Sequence, residues 1–173
     1  MTLYADLPLG LLYSTVVIDP PWQYGDRLPG AGRGAAKHYP TLDLYEIGRL
    51  PIPELAADDA HLWLWVTNSF VHDGFHLMAQ WGFAYKTMLT WAKPQIGMGR
   101  YLRNTTEHVL FGVRGRLPAE GPKNIPSHVL APRGKHSRKP DEAYDVIRTI
   151  SPAPRIDLFA REEREGLHTA CWQ

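Results

Sequence analysis

An α/β fold with a mainly parallel, doubly wound sheet follows from three observations. Short β-branched runs alternate with segments of helical length from Tyr13–Ile18 to Arg155–Ala160. The first run, Val16-Val17-Ile18, stops at Asp19-Pro20-Pro21-Trp22, where neither proline can donate to a sheet ladder. At 173 residues, 44% of them apolar, the chain can bury a sizeable core in one domain. Residues 1–173 are therefore expected to form a single domain.

Taken in order, residues 1–14 are apolar and turn-rich, a lead-in that sets Asp6 and Leu7 near the sheet edge. Tyr13–Ile18 is the first strand. Asp19 precedes a proline, which biases it toward extended geometry and puts its carboxylate at the strand's carboxyl end. Open α/β sheets bind ligands there. Asp19, Pro20 and Pro21 offer acceptors and few donors, which suits an all-donor group such as the exocyclic amine of a nucleobase. Trp22 offers a face on which a base can stack.

Gly25–Pro40 is a long glycine-bearing loop with the cations Arg27, Arg33 and Lys37, and a loop of that length is usually functional or mobile. It is no P-loop, because no Gly-Lys-Ser/Thr follows. Thr41 is expected to cap a helix from Leu42 to Arg49. His61–Val66 reads as the second strand, Phe70–Trp81 as a helix and Phe83–Trp91 as the third strand. Pro94–Arg103 is a second cation-bearing loop, Glu107–Val113 a fourth strand, and Val129 and Leu130 begin a short fifth. Lys139–Ile150 is a helix, stopped by Ser151-Pro152-Ala153-Pro154, and Arg155–Ala160 is the last strand.

Composition narrows the function. One cysteine, Cys171, excludes an internal disulfide and a multi-Cys zinc site. The first residues carry no basic segment of a signal peptide, and no apolar run approaches membrane-spanning length, so a cytoplasmic protein is expected. Net charge is +1 but uneven. Gly97–Lys139 holds nine Lys and Arg against two acids, whereas Pro140–Gln173 holds four Arg against seven acids. A basic segment beside a base-sized acceptor lip points to a polyanion. The candidates for gripping phosphates are Arg27, Arg33, Lys37, Arg100, Arg103, Lys135 and Arg138. His72 and His76 have the i,i+4 spacing of a zincin helix. Asp stands where that motif has Glu, Gly74 interrupts the helix and no third ligand follows, so no metal site is expected.

Several stretches read together in order: Asp19-Pro20-Pro21-Trp22, His38-Tyr39-Pro40-Thr41-Leu42, Leu62-Trp63-Leu64-Trp65-Val66-Thr67-Asn68 and Thr90-Trp91-Ala92-Lys93. Thr106-Glu107-His108, Gly112-Val113-Arg114-Gly115, His136-Ser137-Arg138-Lys139-Pro140-Asp141-Glu142 and Leu158-Phe159-Ala160-Arg161 complete the series. From about residue 13 to 161 the chain resembles the METTL/MT-A family of S-adenosylmethionine-dependent adenine N6-methyltransferases, in particular its small phage and bacterial members.

The resemblance implies a Rossmann-like methyltransferase fold with helices on both faces and a circularly permuted motif order, the catalytic tetrapeptide preceding the cofactor motif. It implies that Asp19, Pro20, Pro21 and Trp22 hold the target base, with Asp19 also beside the cofactor, S-adenosylmethionine. Arg161 matches a cofactor-contacting arginine, Tyr39 a tyrosine in the closing loop, and Arg114 a cofactor-side lysine. Asp6 and Leu7 match an Asp-Ile pair that contacts the cofactor. Small members continue past the Phe-Ala-Arg stretch into Gly-Trp-x-x-Trp-Gly-Asn-Glu; here the stretch from Gly166 keeps only the glycine and a terminal amide, which leaves Gln173 to meet the cofactor ribose. The substrate implied is DNA ahead of RNA, and the alternatives are RNA adenosine N6-methylation or a non-catalytic nucleic-acid-binding partner subunit. No separate target-recognition domain is expected, so target specificity is short or supplied by a homodimer or second subunit.

Overall fold

The structure is a computed structural model, and it describes residues 10–24, 40–97, 101–134 and 138–171. Seven strands form one sheet: β1 (Tyr13–Ile18), β2 (Ala56–Val66), β3 (Ala84–Ala92), β4 (Thr106–Arg114), β5 (His128–Leu130), β6 (Arg155–Ala160) and β7 (His168–Cys171). Their order is β5-β3-β4-β2-β1-β6-β7. The β1–β2, β1–β6, β6–β7 and β3–β5 pairs are parallel, and β4 alone runs against its neighbours. The sheet is thus mainly parallel, as the alternation of elements predicts, and Rossmann-like. The reversal of β4 brings its first residues, Thr106 and Glu107, to the edge where the parallel strands end.

Helices cover both faces. On one, α1 (Leu44–Gly48), α2 (Ile52–Leu55) and α3 (Val71–Gln80) place Ile47, Ile52, Leu55, Leu77 and Met78 against Val16, Ile18, Leu62, Leu64 and Leu110. On the other, α4 (Asp141–Ile150) sets Ala143, Tyr144 and Ile147 against Val17, Trp63, Trp65, Val109 and Phe111. Alternate residues of β1 and β2 therefore serve opposite cores, which is why these strands read as continuous apolar runs. The chain leaves β1 over one face and returns to its other neighbour, β6, from the helix on the opposite face. Such a reversal of winding opens a crevice at the strand ends, and Asp19 stands in it.

Three boundaries differ from expectation. The first helix is capped by Asp43, not Thr41: Asp43 Oδ1 accepts from the Glu46 N–H and Glu46 Oε2 from the Asp43 N–H, each 2.8 Å. Leu42 stays extended because it is bridged to Trp22. β2 begins five residues earlier than His61, at Ala56, and Asp59 in that extension accepts the Arg116 N–H at 2.7 Å. A seventh strand, His168–Cys171, extends the sheet beyond β6. No helix among the described residues is long and apolar enough to cross a membrane.

Gly74 explains how closely α3 seats on the sheet. A Cβ there would lie 2.7 Å from Leu110 Cδ1 and 2.8 Å from Val66 Cγ1, inside contact distance. Ala is the better helix former by about 1 kcal/mol, yet here overpacking outweighs propensity. Gly74→Ala is expected to lower the melting temperature by several degrees, measured by circular dichroism, where an exposed helical glycine would give a rise.

Candidate active site

Asp19 continues β1 by one residue. Its N–H donates to the Leu158 carbonyl at 3.3 Å, and its side chain falls on the α4 face with Val17. The lip behind it is pinned by the backbone. The Pro20 carbonyl accepts the Trp22 N–H at 2.8 Å, the Pro21 carbonyl accepts the Leu42 N–H at 2.9 Å, and the Gln23 N–H donates to the Leu42 carbonyl at 3.2 Å. Each proline carbonyl keeps a second lone pair, so the acceptor-rich character expected of this lip survives.

Trp22 does not have the role expected of it. Its indole is only 6% exposed, belongs to the apolar core beneath the lip, stacks on Phe70 at 4.7 Å and 14°, and donates its N–H to the Trp65 carbonyl at 3.2 Å. A ring so covered has no free face for a base. Trp22 is the keystone of the lip rather than a stacking surface.

The acid itself lies at one end of an alternating chain of buried charges. Lys139 Nζ is 3.1 Å from Asp19 Oδ1 and 2.9 Å from Glu107 Oε2, and Lys93 pairs with the other Glu107 oxygen. All four side chains are largely buried. Lys139 and Lys93 each lie over an indole, Trp65 at 5.0 Å and Trp91 at 4.2 Å. Burial opposes ionisation at every member; pairing outweighs it at Glu107 and Lys139, whereas burial leaves Asp19 raised and Lys93 lowered. Lys139 and Lys93 hold Glu107 at about 2 against the penalty of burial. Asp19 and Glu107 hold Lys139 above its ordinary value, again against burial. Asp19 is raised by burial, with Lys139 and Arg161 pulling it back. An acid paired with a buried ammonium group therefore stands where the strand ends.

A second group lies beside it on the same face. Asp157, on β6 opposite Val17, is fully buried; neither of its oxygens makes a hydrogen bond of regular geometry among the described residues, although the Tyr144 hydroxyl lies near enough to act on it. Thr169 Oγ1, its neighbour on β7, and Trp65 Nε1 likewise make no hydrogen bond among the described residues. Burial raises Asp157 to about 7; the nearby Asp19 charge adds to this, and Tyr144 and Arg164 only partly offset it. Buried polar atoms without partners are rare and point to a missing ligand. Two acids side by side suit a cationic group. Phe159, with φ +63°, makes a left-handed break in β6 just above Asp157, and strain of this kind gathers at functional sites. Arg164 braces the wall: it donates to the Lys139 carbonyl at 3.0 Å, pairs with Asp141 and Glu162, and lies over Tyr144 at 3.8 Å.

The other expected site residues divide three ways. Arg161 follows β6 directly and acts on Asp19, so it is at the site. Arg114 is not: it ends β4 opposite Ala60, at the far edge of the sheet, and donates to the Pro53 carbonyl at 2.9 Å. The cation that the fold brings to Asp19 is Lys139. Arg138, expected to grip phosphate, is occupied by Asp141 at 2.8 Å and Glu162 at 2.7 Å, whereas Arg103 is exposed with no ion pair among the described residues. Asp6, Leu7, Arg27, Arg33, Lys37, Tyr39, Arg100, Lys135 and Gln173 lie outside the described residues. Lys139, Glu107, Lys93 and Asp157 were not singled out from the sequence. Glu107, Lys139 and Lys93 did stand within the quoted motifs, but their convergence on one edge depends on the reversal of β4, which the sequence does not announce.

Comparison with known proteins agrees with this geometry. The MT-A70 family matches residues 13–173, and the chain belongs to that family. It is 35% identical to the Type II methyltransferase M.MunI of Mycoplasma sp, over 89% of this chain and 74% of that protein. It is 33% identical to the human N(6)-adenosine-methyltransferase catalytic subunit METTL3, over 91% of this chain and 27% of METTL3. An Arabidopsis thaliana N(6)-adenosine-methyltransferase MT-A70-like protein is 31% identical over 86% of this chain and 22% of its own length.

The two perturbed acids predict opposite pH dependences. Glu107, held at about 2 in the fold against 4.5, contributes stability above pH 4.5 that is lost as pH falls toward 2. Glu107→Gln is therefore expected to cost up to about 3 kcal/mol in urea denaturation at pH 7, with the gap narrowing toward pH 3. Asp157, raised to about 7 from 3.8, favours the folded state in acid and loses that contribution as pH rises through 7. Asp157→Asn should raise the melting temperature by several degrees at pH 8, by less at pH 5, and change it little below pH 3.8.

Proposed function

We propose that this protein transfers a methyl group from S-adenosylmethionine to the N6 amine of adenine in nucleic acid, with DNA favoured over RNA. The observation that carries the reading is Asp19 at the carboxyl end of β1, buried beside a proline lip and paired with Lys139 at 3.1 Å. Family membership sets the reaction class. DNA is favoured because the chain spans 74% of a Type II methyltransferase but 27% of METTL3. The METTL3 likeness keeps RNA as the second reading.

The N6 lone pair of adenine is delocalised into the ring, so the amine is a poor nucleophile. The Asp19 carboxylate and the free lone pair of the Pro20 carbonyl are placed to accept its two N–H groups. That draws the nitrogen toward tetrahedral geometry and localises its lone pair. Lys139 and Arg161 keep the Asp19 charge available for this, and Trp22 holds the lip in place from below. S-adenosylmethionine, when bound, supplies an electrophilic methyl on a sulfonium. Asp19, Asp157 and Thr169 are the residues proposed to receive its cationic portion, since the buried polar atoms of Asp157 and Thr169 there are left under-satisfied. Arg161 is proposed to line the same site. These residues act by positioning and electrostatics. The base must leave its stack, at a cost of about a few kcal/mol in duplex and less in a single strand.

Phosphates are proposed to be gripped by the exposed Arg103 and by the cations of 25–37, Arg100 and Lys135. Residues 1–173 are read as one methyltransferase domain working in the cytoplasm, with target choice made over a short sequence or by a homodimer or second subunit.

Methyl transfer from labelled S-adenosylmethionine to unmethylated duplex DNA, single-stranded DNA and matched RNA, followed by nucleoside mass analysis, tests the reading. N6-methyldeoxyadenosine is the expected product. Asp19→Asn turns one acceptor oxygen into a donor facing the amine and is expected to lower the rate at least a thousandfold while preserving the circular dichroism spectrum. Near-normal transfer by that variant would contradict the mechanism.

A further inference from the structure

The site presents acceptors for a nucleobase amine, but the tryptophan beside them is sealed into the core. Two residues further on, Tyr24 is the nearest described aromatic in sequence to the lip that keeps part of its ring open, with 41% of the residue exposed. Its position is fixed twice. The hydroxyl meets Thr67 Oγ1 at 3.0 Å, where β2 ends beside β1, and the ring stands on Phe70 at 4.9 Å and 67°. Phe70 is itself stacked on Trp22. The aromatic series Trp22, Phe70, Tyr24 thus runs from the core out to the mouth of the site. Glu107, Lys139 and Asp19 all act on the Tyr24 phenol, which therefore stands near the same cluster of charges.

We propose that Tyr24 is the platform on which the target base rests, and that Phe70 and Thr67 are positioning residues that set its plane. The inference rests on the nucleobase reading above and deepens it. A tyrosine anchored at both its edge and its hydroxyl is already ordered, so a base stacking on its open part meets little further entropic cost. With the hydroxyl engaged by Thr67, the ring contributes area rather than a base-edge hydrogen bond. Reading of the edge is left to Asp19 and the proline carbonyls. A flat platform of this kind favours a purine, whose larger ring system covers more of it, over a pyrimidine.

The test uses the full chain, a mixed-sequence single-stranded DNA oligonucleotide, and the same oligonucleotide with 2-aminopurine in place of adenine. Tyr24→Ala is expected to raise KM for the oligonucleotide roughly tenfold or more, the scale of one lost stacking contact, with a smaller change in kcat. It should also abolish the quenching of 2-aminopurine fluorescence that the wild-type protein produces, and leave S-adenosylmethionine affinity by calorimetry unaltered. Tyr24→Phe, which keeps the ring, should recover most of the lost affinity. An unchanged KM and unchanged quenching in Tyr24→Ala would overturn the proposal. So would a Tyr24→Phe variant as impaired as Tyr24→Ala, or a loss of cofactor affinity in Tyr24→Ala, since either assigns the residue a role other than a platform. Fluorescence separates this failure from that of the reaction. Quenching that depends on Tyr24 in a protein that transfers no methyl group supports the platform and refutes the methyltransferase reading.

Discussion

The alternating buried charges of Asp19, Lys139, Glu107 and Lys93 are the constraint on which the site depends. Placing four ionised groups in a largely water-excluded crevice is costly unless each finds an opposite partner. The fold satisfies this by drawing them from four separate places: the end of β1, the entry to α4, the start of the reversed strand β4, and the end of β3. Loss of any one leaves an uncompensated charge behind. The arrangement does more than balance charge, because Lys139 and Arg161 oppose the upward pull that burial exerts on Asp19.

Topology makes that convergence achievable. In a purely parallel sheet the start of a strand lies at the edge opposite the site. The single reversal of β4 carries Glu107 to the productive edge, while Arg114 at the other end of the same strand is carried away from it. The same edge collects Thr67 from β2 and Arg161 from β6. The Trp22–Leu42 bridge then closes the lip by tying together residues on either side of 25–39. The anchored lip and the paired acid therefore come from different parts of the chain, and each fixes the other's geometry.

Much of this was legible in the sequence. The β-branched runs place β1, the core of β2 and β6 closely, and the prolines after Asp19 mark where β1 must end. The seventh strand was missed because His-Thr-Ala-Cys has no apolar run to announce it; β6 supplies the pairing that makes it a strand. Trp22 was read for its type, and its type says nothing of which way the ring turns; Phe70, forty-eight residues on, decides that. Arg114 was assigned by resemblance, and strand direction removes it. Lys139 and Glu107 stood in quoted motifs without a role, because their partnership exists only once α4 and β4 are folded against β1.

Lys139 is the group that opposes burial at Asp19 and places its carboxyl group for the amine. Single-turnover methyl transfer as a function of pH, compared between the wild type and Lys139→Met, tests this role most directly. Without the ammonium group, Asp19 loses the partner that opposes its burial, so the acidic limb of the profile should move to higher pH by a unit or more. A variant that is folded and active with a superimposable profile would contradict the account.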